Sequence, residues 1–266
     1  MTWNINSVRL RAPLLKQVVD HLTPDIVCLQ ETKTPDEFFP KSEIEDMGFD
    51  HISFVGMKGY NGVAILSKYP LQDTRIYQRC GKDDCRHIAA KVMMGGKTAF
   101  DLHNMYIPAG GYEPDPVNND KFKHKLDFVD EVADWFPSTF DANDPMVVVG
   151  DLNIAPLEHD VWDHKKMLKV VSHTPVEIEK FTNFQNRFNW IDTARHFVPE
   201  DQKLYSWWSY RAKDWFAADK GRRLDHIWVT QPLGSVLKSH HVLKDARGWE
   251  RPSDHAPVML ELDMPV

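Results

Sequence analysis

Two short runs in this chain are apolar at every position. Ile26-Val27-Cys28-Leu29 and Met146-Val147-Val148-Val149 offer no polar face. Side chains alternate across a strand, so a strand apolar on both sides must be covered on both. That requirement calls for layers above and below these runs. Other runs alternate polar with apolar, as on a sheet with one solvated face. Strands are expected over 2–5, 25–30, 62–67, 87–93, 98–106, 145–150, 224–229 and 256–262. Helices are expected over 8–21, 120–135, 175–188 and 191–197, the second capped by Asn119-Asp120. The elements follow no regular βα rhythm. The expected architecture is therefore a layered α/β sandwich rather than a barrel.

The chain has 266 residues, with no internal repeat, low-complexity tract or long linker, and is read as one domain over 1–266. It is large enough to bury a core without disulfides. Cys28 lies in an apolar run, whereas Cys80 and Cys85 lie in a polar loop with His87. These are too few ligands for a structural zinc site, and reduced thiols are expected. No apolar segment follows the N-terminus as in a signal peptide, and no run approaches a membrane span; a cytoplasmic protein without membrane contact is expected. The net charge of −7 argues against a generally basic nucleic-acid binder, yet leaves room for a local basic rim. Gly-rich phosphate loops and the HExxH, GxSxG and CxxC motifs are absent. P-loop and Rossmann enzymes, zincins and serine hydrolases are thereby set aside.

Polar residues with chemical potential recur where apolar strands end. Alternation places Glu31 on the face of Val27 and Leu29, emerging at the rim as a hard-cation ligand or as a surface cap of the next segment. Asp151 shares a face with Val147 and Val149, and Asn153 follows; together they suit a bound water or an ordinary turn. Asp225 lies on the face of Ile227 and Val229, and His255 enters the last strand. A buried Asp that orients a His fixes its tautomer and stabilises the imidazolium. Asn4 and Asn6 share a face at the start of the chain, and two buried amides need partners. Asn104 and Tyr106 share a face at the end of their strand.

Taken in order, Trp3-Asn4-Ile5-Asn6, Gln30-Glu31-Thr32-Lys33, Tyr106-Ile107-Pro108, Gly150-Asp151-Leu152-Asn153, Arg223-Leu224-Asp225 and Ser253-Asp254-His255-Ala256-Pro257-Val258 resemble the exodeoxyribonuclease III family of bacterial apurinic/apyrimidinic (AP) endonucleases. The resemblance spans essentially the whole chain. It implies a four-layer α/β sandwich of two mixed β-sheets flanked by helices, like that of deoxyribonuclease I. It implies Mg²⁺, with Mn²⁺ as a substitute, held mainly by Glu31 with Asn6 and Asp254 near and Asp151 and Asn153 beside it. Asn4 would position Glu31 or the phosphate. Asp151 would orient or deprotonate the attacking water, and Asn153 would bind the water or the phosphate. His255, oriented by Asp225, would bond a non-bridging oxygen, and Tyr106 would contact the phosphate near the leaving group. In three places the chain departs from its relatives: Ala109 follows the Tyr-x-Pro where some carry an amide, Asn6 stands where some have Asp, and the first strand is short.

The implied substrate is double-stranded DNA, especially abasic sites and 3′ ends, bound by a monomer. Aromatics beside cations over 205–213 suit a disrupted duplex. The resemblance places Trp207 and Leu224 on the sugar pocket, and Arg222 where relatives tend to be apolar. A basic rim is expected from Arg9, Arg11, Lys33, Lys121, Lys123, Arg187, Arg211, Lys213, Arg247 and Arg251. Arg86, Arg211 and Arg251 are the cations assigned to substrate. The competing readings are a phosphatase or phospholipid-type phosphodiesterase on the same fold, and a DNA-binding protein with a decayed site.

Overall fold

The computed structural model describes residues 1–264. Two six-stranded sheets form the body. From edge to edge, one contains Leu237–Val242, Val258–Leu262, Thr2–Asn4, Ile26–Gln30, Val63–Ser67 and His51–Val55. The other contains Leu71–Ile76, His87–Met94, Lys97–Tyr106, Met146–Asp151, Asp225–Val229 and Ile191–Asp192. Each is mixed. Thr2–Asn4 runs parallel to Ile26–Gln30 and antiparallel to Val258–Leu262. Lys97–Tyr106 runs parallel to Met146–Asp151 and antiparallel to His87–Met94.

The apolar runs are covered on both faces. Cys28, Val63 and Ile65 of the first sheet meet Ile88, Leu102, Val147, Val149 and Ile227 of the second. Val27 and Leu29 point the other way, onto Val8, Leu15 and Val18 of helix Val8–Leu22. Val148 and Trp228 likewise pack outward against Phe128, Val132 and Phe136 of helix Asp120–Thr139 and Phe181 and Phe184 of helix Pro175–Arg187. This gives the four layers expected. Asn104 is a polar joint between the sheets: its amide donates to Leu29 O at 3.0 Å and Ala64 O at 2.9 Å, while Gln30 Nε2 donates to its Oδ1 at 2.7 Å. No helix among the described residues is long and apolar enough to cross a membrane.

Some boundaries differ from expectation for identifiable reasons. The helix expected over 191–197 begins at Thr193, because the Asp192 side chain caps it by accepting from the Ala194 and Arg195 amides. Ile191–Asp192 instead pairs with Trp228 and Val229 as a short edge strand. His51–Val55, Leu71–Ile76 and Leu237–Val242 were not anticipated. They lie at or next to sheet edges, where partial exposure relaxes the demand for apolar residues. Gly150 has φ 145°, and a Cβ there would lie 1.8 Å from Met105 O. Only glycine lets its strand approach closely enough to set Asp151 beside Tyr106.

A buried histidine pair lies under Trp135 on the outer face of the second sheet. Arg79 Nε donates to His87 Nδ1 at 3.2 Å, so His87 carries its proton on Nε2 and gives it to His103 Nδ1 at 3.0 Å. Burial, aided by the neighbouring arginines, pushes both rings well below the ordinary histidine range. The unfolded chain therefore binds more protons than the folded one once pH falls below about 6.5. The pair's stabilisation is complete above that pH and is lost as pH drops. Thermal melts should show Tm declining from pH 7 to 5 less steeply in a His87→Phe/His103→Phe variant than in the parent. Equal slopes would remove this pair from the acid response.

Candidate active site

One end of the sandwich gathers the polar strand termini. Thr2–Asn4, Ile26–Gln30, Lys97–Tyr106 and Met146–Asp151 finish there, and the antiparallel Asp225–Val229 starts there. Asn4 lies at the centre and is fully buried. Its Nδ2 donates to Glu31 Oε1 at 3.0 Å and to Asp151 Oδ2 at 2.8 Å, so a single amide spaces two carboxylates. Tyr106 donates its hydroxyl to Glu31 Oε1 at 2.7 Å. Burial alone would raise the Glu31 carboxyl, but Lys33, Asn4 and Tyr106 outweigh it and hold the group below its usual value.

Glu31 reaches this position by a turn rather than by strand alternation. Val27 and Leu29 face the helix layer, and a left-handed residue (φ 51°) swings Glu31 into the cleft. Asn6 (φ 50°) and Asn153 (φ 54°) are turned in the same way. The shared faces expected for Glu31 with Leu29, for Asn6 with Asn4 and for Asn153 with Asp151 are therefore replaced by turns. Asn and Asp tolerate this conformation, but Glu is strained there.

His255 stands between two carboxylates. Its Nδ1 donates to Asp225 Oδ2 at 2.8 Å, and its Nε2 lies 3.6 Å from Asp151 Oδ2. Burial would lower the ring, but Asp225 and Asp151 prevail and push it up to about 10, so it is an imidazolium at neutral pH. Burial lifts Asp151 to about 7 against the pull of His255. Ser206 donates to Asp225 Oδ2 at 2.6 Å, and Trp3 Nε1 holds His255 O at 2.9 Å. The Arg223 guanidinium, fully buried, bonds Asp160 through two nitrogens at 2.8 Å and Asp192 at 2.7 Å, fixing the segment that leads into Asp225.

Two groups of polar side chains could hold a cation. Asp151, Asp225 and His255 offer atoms within 4.8 Å of one another. There, however, the protonated ring already supplies the positive charge between the carboxylates. Glu31 and Asn6 form the better seat, because a cation sits on them: Lys33 Nζ lies 2.6 Å from Glu31 Oε2 and donates to Asn6 Oδ1 at 2.7 Å. A carboxylate and an amide oxygen around a positive charge suit a hard divalent ion. Asp254 adjoins this seat through Asn6, whose Nδ2 donates to Asp254 Oδ1 at 3.2 Å, while Trp207 Nε1 donates to Asp254 Oδ2 at 3.0 Å. Asp151 and Asn153 lie across Asn4 from it. Asn153 gives its Nδ2 to Ile107 O at 2.9 Å and its backbone amide to Asp151 Oδ1 at 3.1 Å.

The cations assigned to substrate divide. Arg211 and Arg251 are exposed at the rim, Arg211 beside Tyr112. Arg86 is turned inward, paired with Asp84 and stacked 4.7 Å over the Tyr106 ring, so it braces Tyr106. Arg11, expected on the rim, is buried. It donates to the backbone oxygens of Asn6, Arg251 and Pro252 and to the Tyr210 hydroxyl. Arg187 pairs with Asp134 and Lys123 with Asp127, both on the helix layer. Leu224 and Trp207 share an apolar cluster, and Arg222 lies 4.9 Å over the Trp207 ring. Sequence reasoning missed Ser206, and it read Lys33 and Arg11 only as rim charges. Lys33 stood inside a recognised motif, but no local pattern marked Arg11 or Ser206.

Fold and site together define a metal-dependent phosphodiester hydrolase, and residues 1–255 match the Endonuclease/Exonuclease/phosphatase family, to which the chain belongs. Within it, the chain is 30% identical to exodeoxyribonuclease III of Haemophilus influenzae over 98% of each protein. An AP endonuclease from Archaeoglobus fulgidus superposes with a TM-score of 0.90 at 30% identity, covering 99% of this chain and 98% of the other. A 3′ phosphatase from Neisseria, NExo, bound to a product DNA hairpin superposes at 0.89 with 31% identity and the same coverage. The chain is thus a nuclease-type hydrolase, and the phospholipid and decayed-site readings lose their footing.

Proposed function

We propose that the protein is a Mg²⁺-dependent DNA repair nuclease that incises duplex DNA at abasic sites and degrades it 3′→5′, leaving 3′-hydroxyl ends. The observation that carries this reading is the His255 ring bonded to Asp225 at 2.8 Å and facing Asp151 at 3.6 Å, beside an oxygen-lined cation seat on Glu31. Asp151, lifted toward neutrality, can take a proton from a water aligned on phosphorus. Asn153 retains an amide oxygen that accepts no hydrogen bond among the described residues, which suits it to hold that water. His255 Nε2–H is free to donate to a non-bridging oxygen as negative charge grows there. Tyr106 and Asn4 hold Glu31 in place, and Tyr106 also borders the phosphate. Glu31 and Asn6 would hold Mg²⁺ or Mn²⁺, with Asp254 in support and Asp151 and Asn153 facing it; the ion supplies charge neutralisation at the phosphate.

The substrate surface would be the rim of Arg211 and Arg251 with Trp207 and Leu224 inside it, engaging one duplex per monomer. The test is a Mg²⁺ incision assay on a duplex bearing one abasic site, with the product ends resolved. A 3′-hydroxyl end, lost on chelation, is expected. The same assay on 3′-phosphate termini addresses the activity named for the Neisseria neighbour. Hydrolysis of inositol phosphates with intact abasic duplex would overturn the reading.

A further inference from the structure

Behind Asn153 lies a fully buried ion pair. Lys125, on helix Asp120–Thr139, and Glu177, on helix Pro175–Arg187, are 2.5 Å apart with no exposed side-chain surface. Burying two charges is costly, and an apolar pair of similar volume often packs as stably. Their contacts show what the charges hold. Lys125 Nζ donates to Asn153 O at 2.7 Å, the backbone oxygen of a residue kept in the left-handed region. Its stem fills the space beneath Gly110, where a Cβ would come within 2.9 Å of Lys125 Cδ. Glu177 accepts from the Ser172 amide at 2.9 Å, and from the Thr174 amide at 3.0 Å and hydroxyl at 2.7 Å. The segment so fixed holds Arg222, which donates to Val171 O at 3.2 Å and Ser172 Oγ at 3.0 Å while stacked over Trp207.

We infer that Lys125 and Glu177 are a positioning pair for the reaction: Lys125 holds the Asn153 turn at the height that sets its amide beside Asp151, and Glu177 fixes Lys125 and the loop that accepts from Arg222. Neither touches substrate. The pair ties three separate segments, those following Tyr106, Asp151 and Val170, into one wall of the cleft. A displacement of about 1 Å in a reacting group costs on the order of 10²-fold in rate, so loss of this tie acts on turnover more than on binding.

The inference rests on the nuclease reading, and the test keeps the two apart by running the parent enzyme in the same abasic-duplex assay. If the parent does not incise, the nuclease reading fails. With an active parent, Lys125→Met/Glu177→Gln keeps the packed volume and removes both charges. It is expected to fold and to lose more than about 10-fold in kcat with KM within about twofold. Glu177→Gln alone keeps the Nζ bond to Asn153 and is expected to lose less than about threefold in kcat. A folded double variant with parental kcat, or one whose loss lies wholly in KM, overturns the positioning role. If the double variant does not fold, Glu177→Gln and Lys125→Met are compared singly: a larger kcat loss for Lys125→Met supports the role, and equal losses overturn it.

Discussion

Asp151→Asn should lower kcat by about 10²–10⁴-fold, the range for loss of a positioned proton acceptor. Asparagine has the same shape, and its one amide oxygen can still accept from Asn4, although its nitrogen then replaces the oxygen that accepts from the Asn153 amide. What disappears is the negative charge and the ability to take a proton. Asp151 is buried and its carboxyl is lifted to about 7, so neutralising it removes a desolvation cost that offsets the lost Asn153 bond and should leave Tm little changed. Steady-state kinetics on the abasic duplex, with thermal melts alongside, check both halves. Turnover within tenfold of the parent in a well-folded variant would take the proton-acceptor role from Asp151.

The second large effect is expected at His255. Removing a donor aimed at developing charge costs about 10²–10³-fold in kcat, and His255→Ala should fall in that range. It also leaves Asp225 buried without its cation, so some stability should go with it. The pH profile adds a second reading. The parent should gain activity as Asp151 deprotonates near 7, a limb that a bound cation moves to lower pH, and lose it as His255 deprotonates near 10. His255→Ala should lack the alkaline limb. A variant that keeps that limb would assign it to another group and leave His255 a structural residue.

The layered architecture was legible because Met146-Val147-Val148-Val149 and its counterpart have no face fit for water. The convergence of these residues was legible because motifs scattered along the chain keep their order; four of the strands carrying them finish at one end of the sandwich, and the antiparallel Asp225–Val229 starts there. The directions of the side chains were not. Alternation holds only while the strand lasts, and Glu31, Asn6 and Asn153 each adopt a left-handed conformation that no periodicity announces. The division of labour among the arginines was equally hidden. Arg11, Arg86 and Arg211 look alike in sequence; their neighbours in space, remote in the chain, make one a buried organiser, one a brace and one a rim charge. The Lys125–Glu177 pair eluded the sequence for the same reason, since its partners lie on different helices.

The ammonium of Lys33 also has a consequence for the fold itself. Glu31 and Asn6 belong to separate segments, and Lys33 Nζ, 2.6 Å from Glu31 Oε2 and donating to Asn6 Oδ1 at 2.7 Å, stitches the two together. The carboxylate we propose as the main metal ligand thus carries its counter-charge on its own strand end, two residues along the chain. A flexible stem would let that ammonium swing aside for a divalent ion.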